Sequence, residues 1–277
     1  MKWLFVLVLA IIIFGGAAWF GYNFVFKEDI QVAKEQRGEV TPEPRADLTL
    51  PEFEAAAKLR QEGKIPEARG ALTGFVQKFP TSPHADAAKD LLGEVNIDIF
   101  LSRTPSPEKE EYIVKPGDVI NKVARKMKTT PELIMRMNNM SSTMLHIGEH
   151  LLVSHPDFAI VVQRKQNLLT VLNHGGFFKQ YHIRELKVPA KTSKVQTKVA
   201  EVMAWRDGKR VGFGTKEFIG SARWIRLGSQ TYTIYSVPDS AHQVVQPPPP
   251  QGIGLAAADA EELSSLVNNK TPVTITD

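Results

Sequence analysis

Four residues in one short stretch, Ser236, Asp239, Ser240 and His242, are of the types that form a serine nucleophile with its base. Such a site needs a hydroxyl, an imidazole that takes its proton and a carboxylate that orients the imidazole. Closeness in sequence does not provide that geometry, and Asp239-Ser240 is also typical of a turn. We therefore favour a turn over a hydrolase.

The 277-residue sequence contains no cysteine, which excludes thiolate nucleophiles and thiolate metal ligands.

Two histidines, His146 and His150, are the other groups capable of metal chemistry. They lie near the start of a predicted strand and have no carboxylate or thiol partner at ligand spacing. We therefore expect neither a metal nor another cofactor.

The elements around these histidines form a small predicted unit over residues 112–153. Tyr112 to Val114 favours a strand, Pro116-Gly117 a turn, and Asp118 the N-cap of a helix. Helical spacing predicts a buried face for this first helix. Its members are Ile120, Val123, Ala124 and Met127.

A second helix follows at Thr130-Pro131, where the threonine is expected to cap the free N–H groups. It ends at Asn138-Asn139, and Leu151 to Val153 forms the returning strand. Its expected apolar face consists of Leu133, Ile134 and Met137. The unit thus has the order strand, helix, helix, strand.

This pattern resembles a LysM module, with bounds we place at residues 112–155. LysM modules bind glycans that contain N-acetylglucosamine, chiefly bacterial peptidoglycan and chitin, so the resemblance implies a wall-facing protein. The positions that carry it are Tyr112, Val114, Pro116, Gly117, Asp118, Ile120, Val123, Ala124, Leu133, Met137, Asn138, Asn139, Leu145, Gly148, Leu151 and Val153.

In LysM modules two loops form a shallow groove for the sugar, and here they correspond to residues 117–120 and 139–147. Loop amides would bind acetamido groups while apolar side chains contact the sugar rings. Val119 departs from the family, because most relatives carry a hydroxyl residue there. The alternative is a small packing domain without a ligand. The expected glycan-binding residues are Gly117, Asp118, Val119, Ile120, Asn139, Met140, Met144, Leu145, His146 and Ile147.

Strand patterns dominate residues 157–277. Runs at Phe158 to Val162, Leu168 to Leu172 and Phe177 to Ile183 predict strands, and Asn173 to Gly176 predicts the turn of a hairpin. Taken in order with the later strands, a short helix and a last strand, they resemble the L,D-transpeptidase catalytic domain.

That family attacks a peptide carbonyl with a cysteine and uses a histidine as the base. Its motif runs His-Gly, then Ser-x-Gly-Cys-x-Arg. Here Tyr235 and Ser236 stand at the His-Gly position, Gly252 replaces the cysteine and Gly254 replaces the arginine. Tyrosine is a poor base near neutral pH because its unperturbed pKa is about 10. We expect a domain without catalysis; the alternative is an active L,D-transpeptidase or another peptidoglycan-remodelling enzyme with an unrecognised nucleophile.

The N-terminal residues 3–26 are almost entirely apolar, which is long enough to cross a bilayer. We interpret residues 1–27 as an uncleaved transmembrane signal anchor and 28–49 as a flexible tether. A cleaved signal peptide is the alternative, since Gly16, Ala17 and Ala18 are small. The anchor implies a single-pass protein of the bacterial cytoplasmic (inner) membrane, with the rest of the chain in the periplasm or extracytoplasmic space.

Residues 50–102 carry three helical patterns that resemble tetratricopeptide hairpins, followed by a linker at 103–111. Ser82-Pro83 is expected to cap the third helix. So short an array leaves an apolar face that another segment or a partner should cover. We favour a spacer over a protein-docking site.

The fold class expected for the whole chain is therefore multidomain α+β. Its parts are a transmembrane helix, short tetratricopeptide-like hairpins, a βααβ LysM module and a mostly-β L,D-transpeptidase-like domain. Expected partners are peptidoglycan strands, the membrane and cell-wall enzymes. The net charge of +4 gives no reason to expect nucleic acid. Four lysines, Lys187, Lys191, Lys194 and Lys198, lack interleaved aromatics and are interpreted as a solvated loop.

Overall fold

A computed structural model describes residues 47–103, 106–188, 194–228, 232–238 and 251–277. The predicted anchor and most of the predicted tether lie outside these ranges. Within them, no helix combines the length and hydropathy that crossing a membrane requires. Lys191 of the lysine run also lies outside the described residues. So do Asp239, Ser240 and His242, and with them the predicted serine-type arrangement.

Three consecutive helices confirm the helical patterns after residue 50: α1 (Leu50–Gln61), α2 (Ile65–Lys78) and α3 (Ala85–Leu101). Gly63 has a φ of 74°, which suits the turn between α1 and α2. The core between the helices is small and apolar. Its buried members are Ala56, Ala68, Leu72, Phe75, Ala88, Leu92 and Val95.

The start of α3 differs from the expectation that Ser82-Pro83 caps it. His84 is the N-cap residue, and no side chain caps the helix. The Ser82 hydroxyl instead accepts a hydrogen bond from the His84 N–H at 3.0 Å and pairs with the Thr49 hydroxyl at 2.6 Å. Ser82 thus holds the turn before the helix.

The predicted βααβ order is confirmed by β1 (Lys109–Ile113), α4 (Ile120–Lys126), α5 (Pro131–Met137) and β2 (His150–Ser154). The two strands pair antiparallel, from Lys109 opposite Ser154 to Ile113 opposite His150. Because β2 extends to Ser154, it pairs with three residues that were expected to belong to the linker at 103–111.

Of the two N-caps predicted for the helices of this unit, one is wrong and one is confirmed. The N-cap assigned to Asp118 is wrong, since Val119 is the N-cap residue of α4 and no side chain caps that helix. The Asp118 carboxylate is engaged elsewhere, as shown below. The cap at Thr130 is confirmed, because its hydroxyl accepts a hydrogen bond from the Leu133 N–H at 3.0 Å.

One large mixed sheet makes up the C-terminal part of the chain, together with a helix, α6 (Ala257–Leu266). The order of its strands is β5-β4-β3-β12-β7-β9-β10-β11-β6, and β8 pairs with β7. Among the strands of the described residues, only β3–β12 and β10–β11 pair in parallel. The strands are β3 (Phe158–Gln163), β4 (Leu168–Asn173), β5 (Gly176–His182), β6 (Glu185–Lys187), β7 (Lys194–Arg206), β8 (Lys209–Val211), β9 (Ala222–Leu227), β10 (Thr233–Val237), β11 (Gly252–Ala256) and β12 (Pro272–Thr276).

The hairpin predicted at Asn173 to Gly176 is confirmed. Its two loop residues, His174 and Gly175, have φ values of 49° and 78°, as a type I′ turn requires. The solvated loop assigned to the lysine run is wrong for Lys187, Lys194 and Lys198. Lys187 is the last residue of β6 and pairs with Gly252 of β11. Lys194 and Lys198 belong to β7, which pairs with β12 through residues 194–198.

The helical and LysM parts pack directly against the sheet, and Thr49–Asp277 is one compact unit. Phe100 of α3 contacts Phe158 and Phe178, with ring centroids 5.7 and 5.4 Å away. The cover expected for the helical array is therefore the sheet of the same chain. On the LysM side, Leu133 and Met137 of α5 belong to the core of the sheet domain rather than to that of the LysM unit.

Candidate functional site

The two loops expected to form a sugar groove lie side by side. Val114 donates its N–H to the carbonyl oxygen of Glu149 at 2.9 Å, and Gly148 donates to that of Val114 at 2.9 Å. These bonds continue the pairing of β1 and β2 by one residue pair. The loop that begins after Val114 and the loop that ends before Glu149 therefore leave the strands at the same edge.

The first loop is fixed by the Asp118 carboxylate. Its Oδ2 atom accepts hydrogen bonds from the Lys115 N–H at 2.8 Å and from the Tyr112 hydroxyl at 2.7 Å. The bond from the Lys115 N–H, followed by the bond from Tyr112, holds the pKa of Asp118 below its usual value. The bond between Tyr112 and Asp118 also raises the pKa of Tyr112. Lys122 further donates to the Gly117 carbonyl at 3.2 Å. Asp118 thus fixes the shape of the loop, and its Oδ2 atom already accepts two hydrogen bonds.

Exposed apolar side chains stand on both loops. Val119 on the first loop is 53% exposed, and Met144 and Ile147 on the second are 67% and 71% exposed. Large apolar side chains at such exposure are suited to contact the faces of sugar rings, because binding removes their surface from water. Asn139, with a φ of 52°, is also exposed at the start of the second loop.

The other expected glycan contacts have different positions. Ile120 is only 3% exposed and belongs to the LysM core, so it supports the loop from below and cannot offer apolar contact to a sugar. Met140 and Leu145 are partly buried against the same core. His146 donates its N–H to Glu149 Oε2 at 3.0 Å. His150 Nδ1 lies 2.8 Å from Glu111 Oε1.

The positions that resemble a transpeptidase centre come together on β10 and β11. Tyr235 lies opposite Gly254 and Thr233 opposite Gly252 in the parallel pair. The Tyr235 hydroxyl donates to Glu185 Oε2 at 2.9 Å. Burial, and then this bond, raise the pKa of Tyr235 above its usual value. The base form, tyrosinate, is therefore less populated near neutral pH than in a free tyrosine.

Neither Gly252 nor Gly254 has space for a side chain. Gly252 has a φ of 149°, and a Cβ there would overlap the carbonyl oxygen of Thr233. A Cβ on Gly254 would lie 2.5 Å from Val237 Cγ2 and 3.0 Å from Glu185 Cβ.

Ser236 is occupied by the backbone of the neighbouring strand. Its hydroxyl accepts the Arg223 N–H at 2.9 Å and donates to the Arg223 carbonyl at 3.3 Å, and the side chain is buried. This serine therefore links β10 to β9.

Sequence reasoning missed one neighbour of the LysM groove. Phe213, in the segment after β8, packs against the LysM core, and its ring contacts Phe218 edge-on at 5.2 Å. Next to it, a Cβ on Gly214 would lie 3.2 Å from Thr143 of the second loop. Two nearby phenylalanines in a glycine-containing segment could have indicated a packing site there, but no periodic pattern linked these residues to the LysM unit.

Comparisons with known proteins agree with the geometry of this unit. The LysM domain model matches residues 112–154. No curated protein matches the chain. Among solved structures, an L,D-transpeptidase from Mycobacterium smegmatis is 12% identical with a TM-score of 0.31, over 47% of this chain and 64% of that one. This chain therefore spans less than two thirds of that structure.

Two further solved structures are similar at the same level. L,D-transpeptidase 1 from Mycobacterium tuberculosis is 14% identical with a TM-score of 0.31, over 47% of this chain and 68% of that one. An Enterococcus faecium L,D-transpeptidase, solved as a cysteine-to-serine mutant, is 13% identical with a TM-score of 0.29, over 62% and 68%. The family match is confined to one segment, and it identifies residues 112–154 as a LysM domain.

Proposed function

We propose that this protein binds the glycan strands of bacterial peptidoglycan through its LysM domain. The observation that carries the proposal is the LysM match over residues 112–154, combined with exposed apolar side chains on two adjacent loops. Val119, Met144 and Ile147 supply apolar surface, and Asp118 fixes the first loop by its two hydrogen bonds. A preformed groove of this kind suits an uncharged sugar because little ordering is needed on binding.

The test is co-sedimentation of the full chain, held in detergent, with insoluble peptidoglycan at low and moderate salt. The wild type is expected in the pellet. A variant with Met144→Asp and Ile147→Asp is expected mostly in the supernatant, because two charges would be desolvated against the sugar. Leu48→Asp is the control, since Leu48 is 85% exposed and lies outside the LysM domain. A wild type that stays in the supernatant at both salt concentrations would refute glycan binding.

We further propose that the sheet domain performs no peptide transfer and acts as a scaffold or regulator for cell-wall enzymes. The sequence has no cysteine, and a Cβ at Gly252 has no room. Tyr235 and Ser236 are hydrogen-bonded to Glu185 and Arg223. The expected outcome is that the purified chain neither forms nor exchanges stem-peptide crosslinks on sacculi, and measurable turnover by the wild type would refute the proposal.

The apolar run at residues 3–26 supports a third part of the proposal, a single-pass anchor in the cytoplasmic membrane. The anchor would hold the LysM domain on the wall side of that membrane. Cell fractionation tests it: the full chain is expected to stay with membranes after a high-salt wash, and a chain without residues 1–27 is expected to be released.

A further inference from the structure

Two adjoining cavities lie between α4 of the LysM domain and the sheet domain. Their volumes are about 410 and 610 Å³. Arg125, Thr129, Asn268 and Asn269 line both, so the two cavities form one cleft. The LysM side of the cleft is the face of α4, and the opposite side is the segment that precedes β12.

The smaller cavity has an excess of positive charge. Arg125, Lys128 and Lys270 line it and are exposed, and none has an ion-pair partner among the residues that the structure describes. Asp157 is the one acidic residue among the described residues that line this cavity. Unpaired cations on the walls of a cleft concentrate their field there and attract anions.

Thr129 provides a second, independent indication of a ligand. The residue is 7% exposed, and its hydroxyl has no hydrogen-bond partner within the described part of the chain. An unpaired buried hydroxyl costs free energy, and a bound acceptor or donor recovers it. Beside it, Asn268 and Asn269 add amide groups that can bind peptide groups or carboxylate oxygens.

The cleft reaches the end of α4 that adjoins the first groove loop. Asn121 lines the larger cavity and lies one turn before Arg125 on the same face of α4. Asn121 also follows directly after Val119 and Ile120 of the first groove loop. A seven-residue helix is about 10 Å long. A ligand branch leaving the sugar at this loop therefore needs to extend by about that length to reach the cations.

We propose that this cleft binds the carboxylate-bearing peptide that is attached to the glycan of peptidoglycan, an inference that rests on the proposed glycan binding. Arg125 and Lys270 would bind the carboxylate from opposite walls, since guanidinium and ammonium groups form charge-assisted hydrogen bonds with it. Thr129 and the two asparagines would bind peptide groups. The cleft would thus make the chain selective for peptidoglycan over chitin, a glycan without peptides.

The experiment compares the full chain in detergent with a variant carrying Arg125→Gln and Lys270→Gln. Three insoluble probes are used: intact peptidoglycan, peptidoglycan stripped of its peptides by an amidase, and chitin. The variant is expected to bind intact peptidoglycan about tenfold more weakly, the loss of one or two charge-assisted bonds. Its binding to the other two probes is expected to equal that of the wild type.

Lys165→Gln with Lys209→Gln is the matched control, because it removes the same charge from exposed lysines outside the cleft. A double cleft variant that binds intact peptidoglycan like the wild type would overturn the proposal. Equal losses on stripped peptidoglycan would also overturn it, and would assign the cleft to another anion of the wall. A wild type that binds none of the three probes would instead refute the glycan binding on which the proposal rests.

Discussion

Gly252 stands where β10 and β11 start to pair, with no room for a side chain between them. Its φ of 149° and the adjacent Thr233 carbonyl exclude a Cβ without a shift of the backbone. Introducing a cysteine by Gly252→Cys is therefore expected to lower the free energy of unfolding by ~3 kcal/mol and to yield no crosslinking activity. For a domain of this size that is a decrease of roughly 6–12 °C in Tm.

Thermal unfolding and a crosslinking assay on sacculi check this prediction together. Gly212→Ala serves as the control, since Gly212 has an ordinary φ and the nearest atom to a Cβ there is 3.9 Å away. It should leave the Tm nearly unchanged. A Gly252→Cys chain that is as stable as the wild type, or that transfers peptides, would contradict the geometry described for β10 and β11.

Asp118 couples the shape of the first groove loop to pH. The Lys115 N–H and the Tyr112 hydroxyl lower the pKa of its carboxyl in the folded state. The stabilisation is therefore complete above the unfolded-state pKa of about 4 and is lost as pH falls through the lower folded-state value. Asp118→Asn should be less stable than the wild type at pH 7, and the difference should shrink toward pH 2.

Urea unfolding of both chains at pH 7 and in steps down to pH 2 measures this difference. Other carboxyl groups titrate in both chains, so only the difference between the two is assigned to Asp118. A difference that stays constant with pH would show that the Asp118 charge does not stabilise the loop.

Individual contacts on the groove were only partly predictable from the sequence. Val119, Met144 and Ile147 are exposed because each lies in a loop, away from the helical core spacing. Ile120 belongs both to the loop range and to the buried face of α4, and burial decides its role. Hydrogen bonds of Asp118 depend on the path of the turn, which periodicity does not encode.

At the scale of elements, α3 approaches β5 closely because of Gly93. A Cβ on Gly93 would lie 2.9 Å from Lys179 Cγ and 3.2 Å from its Cα. Lys179 cannot move easily, since it is 6% exposed and its ammonium group pairs with Glu94 at 2.6 Å and Glu262 at 2.8 Å. Burial opposes that charge, yet the two carboxylates leave the pKa of Lys179 raised.

Gly93→Ala is therefore expected to decrease the free energy of unfolding by ~1–2 kcal/mol, although alanine is the better helix former. Gly74→Ala is the matched control within α2, because no atom lies within 4 Å of a Cβ there. It should increase stability by ~0.5–1 kcal/mol. Chemical unfolding of both variants measures whether each change raises or lowers the free energy of unfolding. A stabilising Gly93→Ala would contradict the close approach of α3 to β5.

Elements with strong local patterns were predictable, and those fixed by distant partners were not. The hairpin at Asn173 to Gly176 follows from its turn residues alone. The early start of β1 depends on how far β2 extends. The strand that contains Lys194 and Lys198 forms because β12 pairs with its first part, residues 194–198, and β9 pairs with residues 199–205, while its polar composition favours a loop.

At the scale of the whole molecule, α5 is buried on two sides. Ile134 packs into the LysM core, while Leu133 and Met137 pack into the core of the sheet domain. The Thr130 hydroxyl also donates to the Ser265 carbonyl of α6 at 2.5 Å. A helical pattern reveals that a face is apolar but not which domain covers it, so the sequence predicted separate modules where the structure has a shared interface.

A cluster of charges crosses this interface around Arg223. Its side chain is 1% exposed, and its Nη2 atom lies 3.5 Å from Glu132 of the LysM domain and 3.8 Å from Glu261 of α6. Arg136 lies 3.3 Å from each of the same two carboxylates. Burial raises the pKa of Glu132 despite the pull of Arg223 and Arg136, so its charge costs stability at neutral pH even while paired and costs more without Arg223.

Arg223→Met should therefore decrease the free energy of unfolding by ~3–5 kcal/mol, the cost of leaving buried carboxylates without this partner. It should also split unfolding into two transitions, because the LysM domain loses its charge contacts to β9 while keeping its own core. Calorimetry measures both effects.

Arg226→Met is the control on the same strand. Arg226 pairs with Glu201 at 3.2 Å with half of its side chain exposed, so its loss should cost less than ~1 kcal/mol. Adding Glu132→Gln to Arg223→Met should recover part of the loss, since it removes a buried charge. Equal effects of the two arginine variants, or a single transition in Arg223→Met, would show that the apolar contacts of Leu133 and Met137 alone join the two domains.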